Sequence, residues 1–157
     1  MKEGSVIQVA YVVRDIDAAM KRHYDVCGIG PWSVYEFKAP EVKDYIYRGK
    51  PATHSCLIAV TPMGEGAQTE LMQPLTGRSI YDEHLDEKGE GLHHVKLFHA
   101  DCKAAVERYK RHGYSVIQSG QFDEDVHYYF DTEKDFGYVI EIGNCGKIRP
   151  AERRNPG

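Results

Sequence analysis

Sliding the chain against itself by 86 positions lays His94 on Gln8, Asp101 on Asp15, and Ala104-Ala105 on Ala18-Ala19. In the same frame Ile16, Ala19 and Met20 fall on Cys102, Ala105 and Val106. One register superposes a strand, a helix cap and the apolar face of a helix, which marks an internal duplication. A chain made of two copies of one unit buries the same faces twice, so its fold is restricted to two equivalent halves around a shared core. Towards the C-terminal end the best frame changes to 71 positions and lays Glu141 on Glu70. The change of frame matches an extra polar excursion in the first half, over residues 38–52.

The local patterns give the unit that is repeated. Residues 6–13 are β-branched and aromatic with Gln8 the one strongly polar member, which predicts a buried strand. In such a strand Val6, Gln8, Ala10 and Val12 share a face. Asp15 then caps a helix whose inward positions 16, 19, 20, 23 and 27 recur at helical spacing, and Gly28 and Gly30-Pro31 stop it. Further strands are predicted over 32–37, about 54–61 and 68–75, the last with Gln68, Glu70 and Met72 on one side. Ser79 opens a short linking helix to Lys88. The second half repeats the order: strand 91–98, helix 101–112 ended by Gly113, then strands near 114–122, 126–132 and 137–143.

The chain therefore reads βαβββ–βαβββ, an α+β fold. Module 1 spans about 5–76, the linking helix 79–88, module 2 about 90–144, and a polar tail 145–157 is expected to fray. With 157 residues, 41% hydrophobic, the chain suffices for one core shared by two halves, a single domain. A net charge of −4 gives no footprint for nucleic acid, and no apolar run is long enough to span a membrane. The start Met1-Lys2-Glu3-Gly4 lacks a signal peptide's apolar core, and Cys27, Cys56, Cys102 and Cys145 form no CxxC pair. Reduced thiols in a cytoplasmic protein are the expectation.

Under the duplication, four polar side chains stand at equivalent places: Gln8 and His94 on the first strands, Glu70 and Glu141 on the last. A carboxylate inside an apolar strand costs several kcal/mol unless it is paired, and two converging carboxylates repel unless a cation lies between them. One imidazole, two carboxylates and one amide oxygen suit a single divalent ion such as Zn, Co, Ni or Mn. His93 falls on the face of Ile7 and is expected to be a core or rim histidine. Lys96 shares the face of His94 and is a pocket candidate, with His54, Tyr128, Tyr129, Trp32 and Tyr47.

The repeat, its strand order and the four positions resemble the vicinal oxygen chelate superfamily, which includes glyoxalase I, methylmalonyl-CoA epimerase, bleomycin-resistance proteins and extradiol dioxygenases. The run Glu70-Leu71-Met72-Gln73-Pro74-Leu75, then Ser79, then Gly89-Glu90-Gly91-Leu92-His93-His94 is similar to the epimerase branch. The resemblance implies two modules forming an open cup, metal ligands on its floor, and a small-molecule substrate that chelates the ion through adjacent oxygens. It implies an isomerase or epimerase moving a proton next to a carbonyl, on an acyl-CoA or 2-oxo substrate, with Glu141 and, across the metal, Glu70 as the catalytic carboxylates. A homodimer is implied too. The set Gln8, Glu70, His94, Glu141 resembles that of glyoxalase I, a lactoylglutathione lyase, whereas the epimerase has His and Gln at the first two positions. The epimerase's second catalytic acid would fall near Leu57, where there is none. A metal-free cup that sequesters a ligand is the remaining alternative, and an extradiol dioxygenase is disfavoured because it wants two histidine ligands.

Overall fold

The computed structural model describes residues 1–155. Eleven strands form one mixed sheet in the order β11-β2-β5-β6-β1-β7-β10-β9-β8-β3-β4. The elements are β1 (Val6–Val12), α1 (Ile16–Cys27), β2 (Trp32–Phe37), β3 (Val42–Tyr47), β4 (Lys50–Pro51), β5 (Ser55–Pro62) and β6 (Gln68–Thr76). They are followed by α2 (Ile80–Lys88), β7 (Gly91–Phe98), α3 (Cys102–Arg111), β8 (Val116–Phe122), β9 (Asp125–Phe130), α4 (Glu133–Phe136), β10 (Val139–Gly143) and β11 (Arg153–Asn155).

The strand register reproduces the repeat. Ala10 lies beside Glu70 in the parallel β1–β6 pair, and the shifted residues Lys96 and Glu141 lie together in the parallel β7–β10 pair. Across the antiparallel β1–β7 junction Gln8 faces Lys96 and Ala10 faces His94, so each contact exchanges with the other under the shift. The helix caps repeat as well. Asp15 and Asp101 each accept a hydrogen bond from a backbone N–H three residues on, at 3.0 Å.

Each module packs its helix on the convex side of the sheet. Ile16, Ala19 and Met20 of α1 meet Trp32, Val34, Ala59 and Leu71, and Cys102, Ala105 and Val106 of α3 meet Phe130, Ile140 and Ile142. The linking helix α2 closes one end of the concave side, where Ile80, Tyr81 and Leu85 pack on Val12, Ile58, Met72 and Val139. Its start is held by Ser79, whose N–H and hydroxyl both donate to Asp82, at 2.9 and 2.7 Å. Its end is turned out by Gly89 at φ 78°, a left-handed conformation that favours glycine. Glu90 follows and accepts from the Arg14 N–H at 2.7 Å, tying the link to the start of α1.

Two segments differ from the sequence reading. The excursion over 38–52 contains β3 and β4, and β3 crosses from the first half to pair with β8 of the second. Left-handed Asp44 and Arg48, with a register shift between Lys43 and Ile46, break the alternation that would have signalled a strand. The polar tail does not fray over its described part. Arg153–Asn155 add β11 to the edge of β2, and Arg153 pairs with Asp17 at 2.7 Å. Such a strand is exposed and polar, so it lacks the apolar half of the pattern. The sheet curls until its two ends face each other, with Phe37 stacked on Phe122 at 4.2 Å, and it remains open. No described helix is long and apolar enough to cross a membrane.

Candidate metal centre

The sheet's central strands deliver one side chain each to the concave floor. His94 Nε2 lies 3.2 Å from Glu70 Oε2 and 3.0 Å from Glu141 Oε2, and all three residues are buried. Their potential ligand atoms lie within 4.8 Å of one another. Gln8 lines the same cavity, and its amide nitrogen donates to Gln68 Oε1 at 3.1 Å. That bond turns the amide oxygen of Gln8 away from Gln68.

Two acceptor atoms are left over. Gln8 Oε1 and Glu141 Oε2 are buried and receive no hydrogen bond among the described residues. Glu141 Oε2 is close to His94 Nε2, but that nitrogen can carry only one hydrogen, and Glu70 Oε2 competes for it. Leaving a buried acceptor unpaired costs about 1–3 kcal/mol. The orphaned amide oxygen, the orphaned carboxylate oxygen, Glu70 and the ring nitrogen together fit a divalent cation of borderline to hard character.

The electrostatics of the floor point the same way. Burial alone would lower the His94 pKa, but the Glu141 and Glu70 carboxylates beside the ring outweigh it and raise the value to about 9. Burial would raise Glu141, but the Lys96 ammonium and His94 hold it at about 2. A positive charge at this point is what the two carboxylates require. Lys96 supplies a second one beside it: its Nζ is 3.3 Å from Glu141 Oε1 and 3.2 Å from Asp125 Oδ2. Burial lowers the Lys96 pKa, but Asp125 and Glu141 overcome it and keep the ammonium charged. Its stem crosses Gly143, where a Cβ would come within 2.3 Å of Lys96 Cε. That glycine leaves the lane the lysine occupies.

The floor opens outward. A cavity of about 90 Å³ is lined by Gln8, Glu70, Glu141, Tyr81, His127 and Tyr129. Gln8, Gln68, Lys96, Asp125 and Ile148 also line an outer cavity of about 420 Å³, bounded by Gly64, Gly66 and Gly146, so these five form its neck.

Of the pocket candidates, Lys96 and Tyr129 reach the chamber. Tyr129 accepts a hydrogen bond from Tyr81 at 2.7 Å and sets its ring edge-on to His94. Trp32 is buried on the convex side against α1, because it shares with Val34 the face of β2 that this helix covers. Tyr128, one residue from Tyr129, points the opposite way into the α3 cluster. His54 packs its ring at a tilt on Tyr45, centroids 4.0 Å apart, and sits against Gly77, away from the chamber walls. Tyr47 bonds to Glu83 of α2 and does not line the chamber either.

His127, Asp125, Tyr81 and Gln68 are wall residues that the sequence reading did not place. Gln68 was signalled by its parity with Glu70. His127 shares parity with Tyr129, but the run Tyr128-Tyr129-Phe130 is aromatic on both faces and hides which side is inward. Burial lowers the His127 pKa to about 4, against the pull of Glu141.

Comparison with known proteins agrees with this architecture. Residues 7–130 match the family model of the Glyoxalase/Bleomycin resistance protein/Dioxygenase superfamily. Among curated proteins none matches the sequence. The structure is similar to methylmalonyl-CoA epimerase from Mycobacterium tuberculosis, with a TM-score of 0.61, 21% identity, and coverage of 94% of this chain and 89% of that one. It is also similar to a methylmalonyl-CoA epimerase in complex with methylmalonyl-CoA and NH4+, with a TM-score of 0.61, 16% identity, and coverage of 99% and 100%. A hypothetical protein from Bacillus halodurans C-125 gives a TM-score of 0.62 at 16% identity, with coverage of 97% and 100%.

Proposed function

Because the chain belongs to the Glyoxalase/Bleomycin resistance protein/Dioxygenase superfamily, we propose that it is a divalent-metal-dependent isomerase or epimerase. The proton it moves is on the carbon next to a carbonyl, in a small molecule that offers adjacent oxygens. The convergence of Glu70, His94 and Glu141 on one buried point, with Gln8 on the wall of the adjoining cavity, carries this reading. The likeness in fold to methylmalonyl-CoA epimerases supports an acyl-CoA or a 2-oxo compound as substrate.

The ion, Zn, Co, Ni or Mn, supplies Lewis-acid polarisation of the carbonyl when bound. Glu70 and Glu141 both reach the point marked by His94 Nε2, so one carboxylate would take the proton and the other could return it. Glu141 is a carboxylate at neutral pH because Lys96 holds it so, and its basicity rises as it swings away from that ammonium. Lys96 then stands beside the substrate and offsets the negative charge that develops on it. Tyr81, Tyr129 and His127 wall the chamber and exclude water.

A second reading, a glyoxalase I-type lactoylglutathione lyase, is favoured by one observation. Leu57, where the epimerase pattern has its second acid, packs against the α1 cluster on the convex side. A metal-free sequestering cup gives no reason to bury two carboxylates on its floor. A homodimer in the cytoplasm completes the proposal.

The test is proton exchange. Protein loaded with each metal in turn is incubated in D2O with acyl-CoA thioesters, 2-oxo acids and the hemithioacetal of methylglyoxal and glutathione. Deuterium next to the carbonyl, absent with Glu141→Gln, supports the proposal. Product formation from the hemithioacetal alone selects the lyase, and no exchange with any substrate contradicts both.

A further inference from the structure

His93 is the extra residue of a β-bulge. Along the β1–β7 junction Ala10 pairs with His94 and Tyr11 with Leu92, which leaves His93 without a partner on β1. In a regular strand His93 and His94 would point to opposite faces; the bulge removes that alternation and lets the two rings meet. Their Nδ1 atoms are 2.8 Å apart, and both residues are buried. The rings stand at 89°, and His93 is walled by the edges of His84 and Tyr81. Behind it lies a separate polar cavity of about 180 Å³, lined by His93, His84, Glu87 and Asp131.

Two nitrogens at that distance share one hydrogen. If His93 supplies it, His94 carries its own hydrogen on Nε2, the atom that faces Glu70 and Glu141. If His94 supplies it, the Nε2 lone pair faces the carboxylates and is free to bind a cation.

We propose that His93 is a positioning residue for the metal ligand His94, accepting its Nδ1–H and so fixing the tautomer whose Nε2 can ligate. The inference rests on the metal-centre reading. The bulge is the device that brings the acceptor to the ligand. Outer acceptors of this kind are worth roughly ten- to a hundredfold in metal affinity.

The experiment measures Zn affinity by chelator competition for wild type, His93→Phe and His93→Asn. Phenylalanine keeps the ring edges and removes the acceptor, whereas the asparagine amide oxygen can stand near the place of Nδ1. The expected result is a roughly ten- to hundredfold loss with Phe and recovery of most of it with Asn. Equal affinity in wild type and His93→Phe overturns the inference, and so does an Asn variant as weak as Phe, which would make the effect one of packing. Nitrogen-15 spectra of the loaded wild type decide independently of whether the variants fold: protonated His94 Nδ1 beside unprotonated His93 Nδ1 is expected, and the reverse refutes it. If wild type binds no metal at all, the metal-centre reading itself falls, a result distinct from each of these.

Discussion

Substituting Gly143 by alanine tests whether the Lys96 ammonium is held over the floor by a lane that contains no side chain. The added methyl would lie 2.3 Å from Lys96 Cε and 3.0 Å from its Nζ. Carbon atoms pack at about 3.5–4.0 Å, so the stem must move by more than ~1 Å. Lys96 Nζ sits 3.2 Å from Asp125 and 3.3 Å from Glu141, distances that a shift of that size breaks. Overpacking costs about 1–3 kcal/mol, and uncompensated buried charge adds part of a further ~3–5. A total of about 2–5 kcal/mol is expected, read as a urea midpoint shift at fixed metal concentration. In a Lys96→Ala background the clash is gone, and only the 3.0 Å approach to the Val126 carbonyl remains. There Gly143→Ala should cost under about 1 kcal/mol, leaving a coupling of about 1–5 kcal/mol between the two positions. An equal cost in both backgrounds would refute the account of how Lys96 is placed.

Three other predictions concern separate parts of the molecule. Burial lowers the His54 pKa to about 4, only partly offset by Asp82, so the unfolded chain takes up a proton near pH 6.5 and the folded one does not. The stability this group contributes is complete above pH 6.5 and falls as pH drops towards 4, by about 3 kcal/mol at roughly 1.4 per pH unit. Because both His54 ring nitrogens lack partners among the described residues, His54→Phe should flatten that part of the curve without loss at pH 7; an unchanged acid limb argues against it. Lys96→Met should lower kcat/KM by about ten- to a hundredfold, the worth of a hydrogen bond to a charged group, while metal content stays the same. Unaltered kinetics would take Lys96 out of the reaction. Glu141→Gln keeps shape and removes the base, so it should abolish exchange with circular dichroism unchanged, and wild-type exchange would refute its role.

The duplication was legible because its signals are local and repeated: the caps Asp15 and Asp101, the helix faces behind them, and isolated polar residues in apolar strands. Those features are set by a few neighbouring residues, and the two shifts that aligned them reappear in the pairing of Ala10 with Glu70 and Lys96 with Glu141. What escaped depends on partners distant in sequence. The strand β3 lies under a polar sequence with two left-handed residues, and its identity comes from β8 across the molecule. The strand β11 is too short and polar to announce itself. His93 was assigned a face by strict alternation, which the bulge at that residue sets aside. Trp32, Tyr128, His54 and Tyr47 were pocket candidates by residue type; the first two are turned outward by the helices that cover their strands, and the others are engaged by Tyr45 and Glu83.

The most direct test of the central claim is the metal content of untagged protein purified without added metal, measured for wild type and His94→Ala. Near-stoichiometric Zn, Co, Ni or Mn in the wild type, lost in the variant, is the predicted result. Metal-free wild-type protein that gains no thermal stability when these ions are added back would contradict it.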